Sequence, residues 1–293
     1  IAVPTLIAIS MVIYLVLSLA PGDPLGELAN SPSITPEIRE NIRRSLGLDQ
    51  PISVRYVKWA IAFFSGNMGY SFVSPVPVSE LILQRLPTTL WVVGLAYVFS
   101  VVIAFPLGIL SALKRYTWAD QLATTAAFAG FSIPPFLTGL LFILLFSVTL
   151  GWFPSLYDST LVVKDMSLFQ TAVLMRYIRA AVIEQLNMDY VRTAYAKGLG
   201  SWQVIFRHVL RNALIPVVTL IALDIPAVFT GALVTEQVFS VPGIGSLLID
   251  SINRSDTPVI MSITFIYAIL IVVFNLVADV LYGVLDPRIR YSN

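Results

Sequence analysis

Few side chains in this 293-residue sequence could do chemistry in an apolar setting. Asp224 and Asp279 interrupt apolar runs, His208 is the sole histidine, and cysteine is absent. An acid at mid-membrane costs about 2.5–3.5 kcal/mol, so it must face a partner or a wet cavity. Asp224 can therefore line a pathway that favours amines or cations, or make a structural hydrogen bond to a neighbouring helix. Asp279 falls near Arg288 and Arg290 and reads as a structural pairing. Without cysteine there are no disulfides, thiolate metal sites or thiol nucleophiles. One histidine excludes a His-cluster metal site, and His208 reads as a hydrogen-bonding residue at a helix start. Gly243-Ile244-Gly245 is followed by Ser246, not by the aspartate that an intramembrane aspartyl protease requires. A serine protease of that kind needs a histidine partner within the membrane, which His208 does not supply. No catalytic, cofactor or metal site is expected in this chain.

The elements that hold these residues are membrane helices. Hydrophobic residues make up 57%, charged residues 12%, and the mean hydropathy is +0.84. A soluble domain carries roughly 25% charged residues, so a bilayer must supply the missing apolar solvent. The net charge of +1 offers no basic field for nucleic acid. Apolar runs at 1–20, 91–113, 123–150, 213–235 and 259–285 are each long enough to cross roughly 30 Å of hydrocarbon. The first run is closed by Pro21-Gly22-Asp23-Pro24. It reads as a retained span preceded by further residues, since the sequence does not open on Met. Residues 21–88 hold six basic and six acidic residues and read as a water-exposed insertion. Within it, helices are predicted from Thr35-Pro36-Glu37 to Gly47 and over 52–64. Pro106, Pro134-Pro135, Pro216 and Pro226 fall inside expected spans and predict kinks or hinges. A sixth crossing near 166–183 reads as too short, because Arg176 and Arg179 follow Lys164 and Asp165 by about ten residues. That shortfall suggests residues omitted near 166–171.

Basic residues orient the spans. Lys114, Arg115, Arg176, Arg179, Arg192, Lys197, Arg207, Arg211, Arg288 and Arg290 share one side; only Lys164 and Arg254 occupy the short loops opposite. Both termini and the 184–212 loop are thereby placed in the cytoplasm, with 21–88 facing outward. Arg176 and Arg179 read as anchors reaching for the headgroups, and the five Trp and many Tyr as interface anchors.

The 184–212 loop is too polar to span and too helix-friendly, up to Lys197, to be floppy. Gly198 and Gly200 break it, and Ser201 is placed to cap a second helix. A short rigid helix on the cytoplasmic face results. It either receives force from a soluble partner or lies at the headgroups.

This segment resembles the ATPase-coupling loop of binding-protein-dependent ABC importer permeases. The general pattern of those permeases is Glu-Ala-Ala, three residues, Gly, nine residues, then Ile-x-Leu-Pro; only Ala194, Gly198 and Leu210 fit it. The dipeptide, oligopeptide and nickel branch fits far better, through Asp189-Tyr190-Val191-Arg192-Thr193-Ala194, Ala196-Lys197-Gly198-Leu199 and His208-x-Leu210-Arg211-Asn212-Ala213-Leu214-Ile215-Pro216. Further signatures of that branch are Ala20-Pro21-Gly22-Asp23-Pro24, Leu46-Gly47-Leu48-Asp49-Gln50-Pro51, Arg85-Leu86-Pro87-Thr88-Thr89-Leu90, Ser132-Ile133-Pro134 and Gly151-Trp152-Phe153-Pro154. Glu236-x-Val238-Phe239-x-x-Pro242-Gly243-x-Gly245 and Leu285-Asp286-Pro287-Arg288 complete the set. The fourth span departs from the branch by lacking a Leu-Pro-containing first half.

The resemblance implies an all-α membrane protein of about six spans: span 1 over 1–20, an extracytoplasmic insertion over 21–88, and a permease core over 89–293. It implies the first of two permease partners in a bacterial or archaeal inner membrane. A coupling helix over Asp189–Lys197 would dock on an ATPase, with His208, Arg211 and Asn212 anchoring the loop to span five. The chain lacks a Gly-x-x-x-x-Gly-Lys-Ser/Thr loop, so ATP and Mg would be bound by two separate ATPase subunits. A second homologous permease subunit and an extracytoplasmic binding protein would complete the assembly. An ion-coupled secondary transporter, with Asp224 and Asp279 relaying protons, is the alternative, although no inverted repeat is evident.

Overall fold

The computed structural model describes residues 2–19, 40, 49–74, 76–152, 167–230 and 233–285. The helix expected from Thr35 to Gly47 and the Leu285-Asp286-Pro287-Arg288 signature lie largely outside these residues. The described residues are helical, joined by turns, with one isolated bridge between Tyr70 and Pro77 and no strand. Among the described residues, four stretches are long and apolar enough to cross a bilayer: Ala2–Leu19, Val78–Leu113, Ser201–Val238 and Thr257–Val284. Phe136–Thr149 and Ile244–Asn253 are shorter apolar helices.

We number the elements in chain order. Helix α1 is Ala2–Leu19, α2 is Ile52–Phe64, and α3 is Val78–Leu113 with a π-helical turn at Leu90–Gly94. The crossing expected over 123–150 is broken rather than kinked. Helix α4, Trp118–Ser132, stops at Ile133, and α5 restarts at Pro135–Phe142 before π-helical turns over Ile143–Thr149. Pro134 is extended at φ −54°, ψ 136°, and a residue ahead of proline is itself driven out of the helical region. The two prolines therefore end one helix and start the next. Helix α6 is Ser167–Leu186 and α7 is Asp189–Ala196. Helix α8 opens as Ser201–Val204, passes through a π-helical turn at Ile205–Val209 and continues as Leu210–Thr230. Then come α9 (Leu233–Val238), α10 (Ile244–Asn253) and α11 (Thr257–Leu285).

The helix α6 runs unbroken through the place where residues were suspected missing. Its twenty residues reach about 30 Å, but they include Arg176, Arg179 and Glu184, and α6 is not among the helices apolar enough to cross by composition.

The chain forms two compact units. In one (1–89, 229–237 and 241–272), Val78, Ile244, Val259 and Ile263 make one apolar cluster, and Phe63, Phe265 and Ala268 make another. In the other (90–228, 238–240 and 273–293), Leu174, Met175, Ile178 and Val182 of α6 pack with Ala104 and Ala112 of α3 and Val209, Ala213 and Val217 of α8. Gly108 permits the close approach of α3 to α6. A Cβ there would lie 2.8 Å from Ile178 and 2.9 Å from the Met175 carbonyl. Val191 and Ala194 of α7 belong to this same core.

Candidate functional site

Helix α7 is short because its ends are fixed by local chemistry. Glycine at 198 takes φ +80°, a region open to few other residues. The Leu199 amide donates to the Ala194 carbonyl and the Gly198 amide to the Tyr195 carbonyl, closing a Schellman-type stop. Helix α8 then begins at Ser201 with Gly200 as its N-cap, and no side chain caps it. Ser201, expected to be the cap, is the first helical residue instead.

Burial divides the signature of this segment in two. Val191 and Ala194 face inward and are buried, whereas Asp189, Arg192, Thr193 and Lys197 are exposed. The Tyr190 hydroxyl donates to Gln185 Oε1 at 2.9 Å, tying α7 back to α6. Thr193 Oγ1 donates to the Asp189 carbonyl at 3.0 Å. Arg192 and Asp189 stand 3.8 Å apart as an exposed pair, an arrangement that contributes little stability. So the buried half holds the helix, and the charged half is exposed. His208 and Asn212 are half-buried and Arg211 is exposed on the continuous stretch that becomes α8. Trp202 and Phe206 stack on the surface, 5.1 Å apart at 18°.

Ten residues before α7 is a clamp that sequence reading missed. Arg179 Nε donates to Asp120 Oδ1 at 2.8 Å and Nη2 donates to Oδ2 at 2.9 Å. Arg179 Nε also reaches Ser111 Oγ at 3.0 Å, and the Ser111 hydroxyl donates to Asp120. The Tyr116 amide donates to Asp120 Oδ2 at 2.9 Å, and Tyr116 takes φ +65° in the turn. Thr117 caps α4, its Oγ1 accepting from the Asp120 amide. One buried carboxylate thus ties the end of α3, the 114–117 turn, the start of α4 and the middle of α6. Arg179 is therefore a buried-pair residue and not the headgroup anchor that was expected. Arg176 lies over the Phe128 ring at 4.4 Å. Asp120 precedes the apolar stretch of α4, and the Arg179 guanidinium holds its carboxyl well below the usual carboxylate range.

Asp224 is half-buried, with the Tyr97 hydroxyl 3.5 Å from its Oδ2 and 3.3 Å from the Ile221 carbonyl. Asp279 is exposed on α11.

The other unit explains two of the sequence signatures. Glu236 is fully buried; its Oε1 accepts from Thr89 Oγ1 at 3.1 Å and its Oε2 from the Ser246 amide at 2.9 Å. Thr89 Oγ1 in turn accepts from the Ile244 amide at 2.7 Å. Helix α10 has no side-chain cap at Gly243; the Glu236 carboxylate and Thr89 hydroxyl serve its first free amides instead. A Cβ on Gly243 would fall 2.5 Å from both Glu236 oxygens and from Thr89 Oγ1, and one on Gly245 would fall 2.8 Å from Glu236 Oε2. The glycine turn is thus a cradle for the buried Glu236 carboxyl group. Nearby, Asp256 accepts from the Ser71 hydroxyl and, at 3.0 Å, from the Phe72 amide, fastening the 65–77 segment to the start of α11. Among the described residues, no group of three or more His, Cys, Asp or Glu could hold a metal ion.

Comparison with known proteins decides the identity. Residues 104–291 match the binding-protein-dependent transport system inner membrane component family, and residues 1–93 match its N-terminal companion. This chain belongs to that family. It is 40% identical to the oligopeptide transport system permease protein AppB of Bacillus subtilis over 306 aligned positions, covering 99% of this chain and 96% of AppB. It is 37% identical, at the same coverages, to the glutathione transport system permease proteins GsiC of Salmonella paratyphi A and Escherichia coli K12. The chain is a permease subunit of a binding-protein-dependent importer and a multi-pass inner-membrane protein. It works as one component of a transport complex, and no observation favours the ion-coupled alternative.

Proposed function

We propose that this permease forms half of a translocation pathway, paired with a second homologous permease, and that α7 couples it to one of two ATPase subunits. ATP and Mg bind those subunits. An extracytoplasmic binding protein delivers an oligopeptide or a related small solute such as glutathione, the cargoes that its relatives' names give. The ten-to-two division of basic residues supports cytoplasmic termini and a cytoplasmic 184–212 loop, with 21–88 facing outward.

One observation supports the coupling role above others. Helix α7 has its apolar side built into the core with α3, α6 and α8 while Asp189, Arg192, Thr193 and Lys197 stay exposed. A force on the charged side must then move α6, and the Asp120–Arg179 clamp passes it to α3 and α4. His208, Arg211 and Asn212 act at the junction with α8, where helix continuity makes the connection. Replacing Arg192 and Lys197 together by Glu should leave the fold intact, since both are exposed. ATPase co-purification and ATP turnover by the assembled complex should fall at least about tenfold, as for loss of a charged contact at an interface. Unchanged turnover and assembly would remove the coupling role.

Asp224 is assigned to the pathway as a site for a substrate's amine, with the Tyr97 hydroxyl orienting it. Asp224→Asn should depress transport of cationic peptides relative to neutral ones. Equal effects on both would reduce it to a structural hydrogen bond.

A further inference from the structure

Helix α2 has two different faces. Tyr56, Trp59 and Phe63, at helical spacing, form one. The Tyr56 and Ser10 hydroxyls are 2.8 Å apart, and Tyr14 lies 5.6 Å, ring to ring, from both Tyr56 and Trp59. Trp59 and Phe63 reach Phe265 of α11 at 5.4 and 5.0 Å. On the opposite side Val54, Val57 and Ile61 form a stripe that is 42, 52 and 68% exposed, and Phe64, 71% exposed, borders it with its ring 5.9 Å from that of Phe265. Lys58, exposed and donating to Gln50 Oε1 at 2.8 Å, flanks that stripe along one edge, whereas Arg55 is half-buried beside Tyr14.

The packed face fixes the depth of the helix. The only charged residue in α11 is Asp279. Counting back the roughly 20 residues of a membrane crossing reaches Val259, and Phe265 falls about 9 Å below that plane at about 1.5 Å per residue. Ser10 is nine residues from the end of α1 at Leu19, about 13 Å by the same rise. A helix packed on both cannot stand wholly in water. On α1, Met11, Val12, Leu15 and Val16 are also exposed. Apolar residues on one side with a lysine along the edge suit acyl chains below and phosphates above.

We infer that α2 is seated in the outer leaflet: Val54, Val57 and Ile61 contact lipid acyl chains, and Lys58 contacts lipid phosphates. The insertion between the first two spans is then partly a membrane-bound element that braces α1 against α11.

The absence of cysteine makes the test direct. Val57→Cys and Ile61→Cys would each be nitroxide-labelled in the full complex, in nanodiscs of phosphatidylethanolamine and phosphatidylglycerol. Tyr70→Cys, on the exposed turn fastened to Asp256, is the aqueous reference. Collisions with dissolved oxygen and with a water-soluble nickel chelate are then compared. Labels at 57 and 61 should favour oxygen, and the label at 70 should favour nickel. Nickel access at 57 and 61 would place the stripe in water. Protection from both reagents would mean that a protein partner covers it. Either result overturns the inference. All three sites are exposed, so labelling leaves the packed face intact; α2 position can be checked by Trp59 fluorescence.

Discussion

The two units each bury a carboxylate, and they satisfy it by opposite means. Asp120 is neutralised by a guanidinium in a bidentate pair. Glu236, in the other unit, is held chiefly by neutral donors, the Thr89 hydroxyl and the Ser246 amide, within a turn that excludes any side chain at Gly243. The first arrangement joins helices distant in sequence through charge; the second shapes a helix start through backbone dipoles. Charge pairing tolerates small displacements because it falls off slowly with distance. A steric cradle tolerates almost none.

The largest effect should come from breaking the pair. Removing one partner of a buried ion pair costs about 3–5 kcal/mol. Asp120→Ala should sit near the lower limit, because the Arg179 side chain is 25% exposed and water can reach it. Unfolding in mixed micelles measures this, and a loss below about 1 kcal/mol would mean that the clamp behaves as a surface pair. Acid supplies the companion test. The folded Asp120 carboxyl titrates below its unfolded range, so its contribution is complete above about pH 4. It is lost as pH falls through that value towards the folded pKa. Asp120→Asn should flatten that part of the pH profile, whereas Glu236→Gln should leave it unchanged.

The cradle should respond to shape more than to charge. Gly243→Ala inserts a methyl 2.5 Å from three oxygens and should cost about 1–3 kcal/mol as overpacking. Glu236→Gln keeps the size and most acceptors and should cost only about 1–2 kcal/mol, the price of one mismatched buried donor. If Gln proves worse than the alanine insertion, the carboxylate's charge governs this site after all.

Membrane class, helical content and the short helix ended at Gly198 were legible in the sequence because each rests on local pattern: apolar length, glycine stops, a contiguous motif. The clamp was not, because Asp120 and Arg179 are 59 positions apart and each has an ordinary local explanation. An aspartate three residues after Thr117 reads as a helix-start acid, and an arginine at the end of an apolar run reads as an anchor. The inward turn of Val191 and Ala194 was hidden for a similar reason, since an eight-residue helix has too few turns to show its periodicity. Glu236 and the glycines of 243 and 245 were recognised as a signature, but only packing shows that Thr89, from another signature, completes them.

The buried carboxyl group of Glu236 has a consequence for inheritance. Thr89, Glu236, Gly243 and Gly245 form a single lock assembled from two stretches of the gene. A shorter acid at 236 would leave the amides of α10 unanswered, and a side chain at 243 would find its room taken until that acid had gone. Change at any one of the four is opposed while the other three stand, so a substitution at one favours compensating change at the rest.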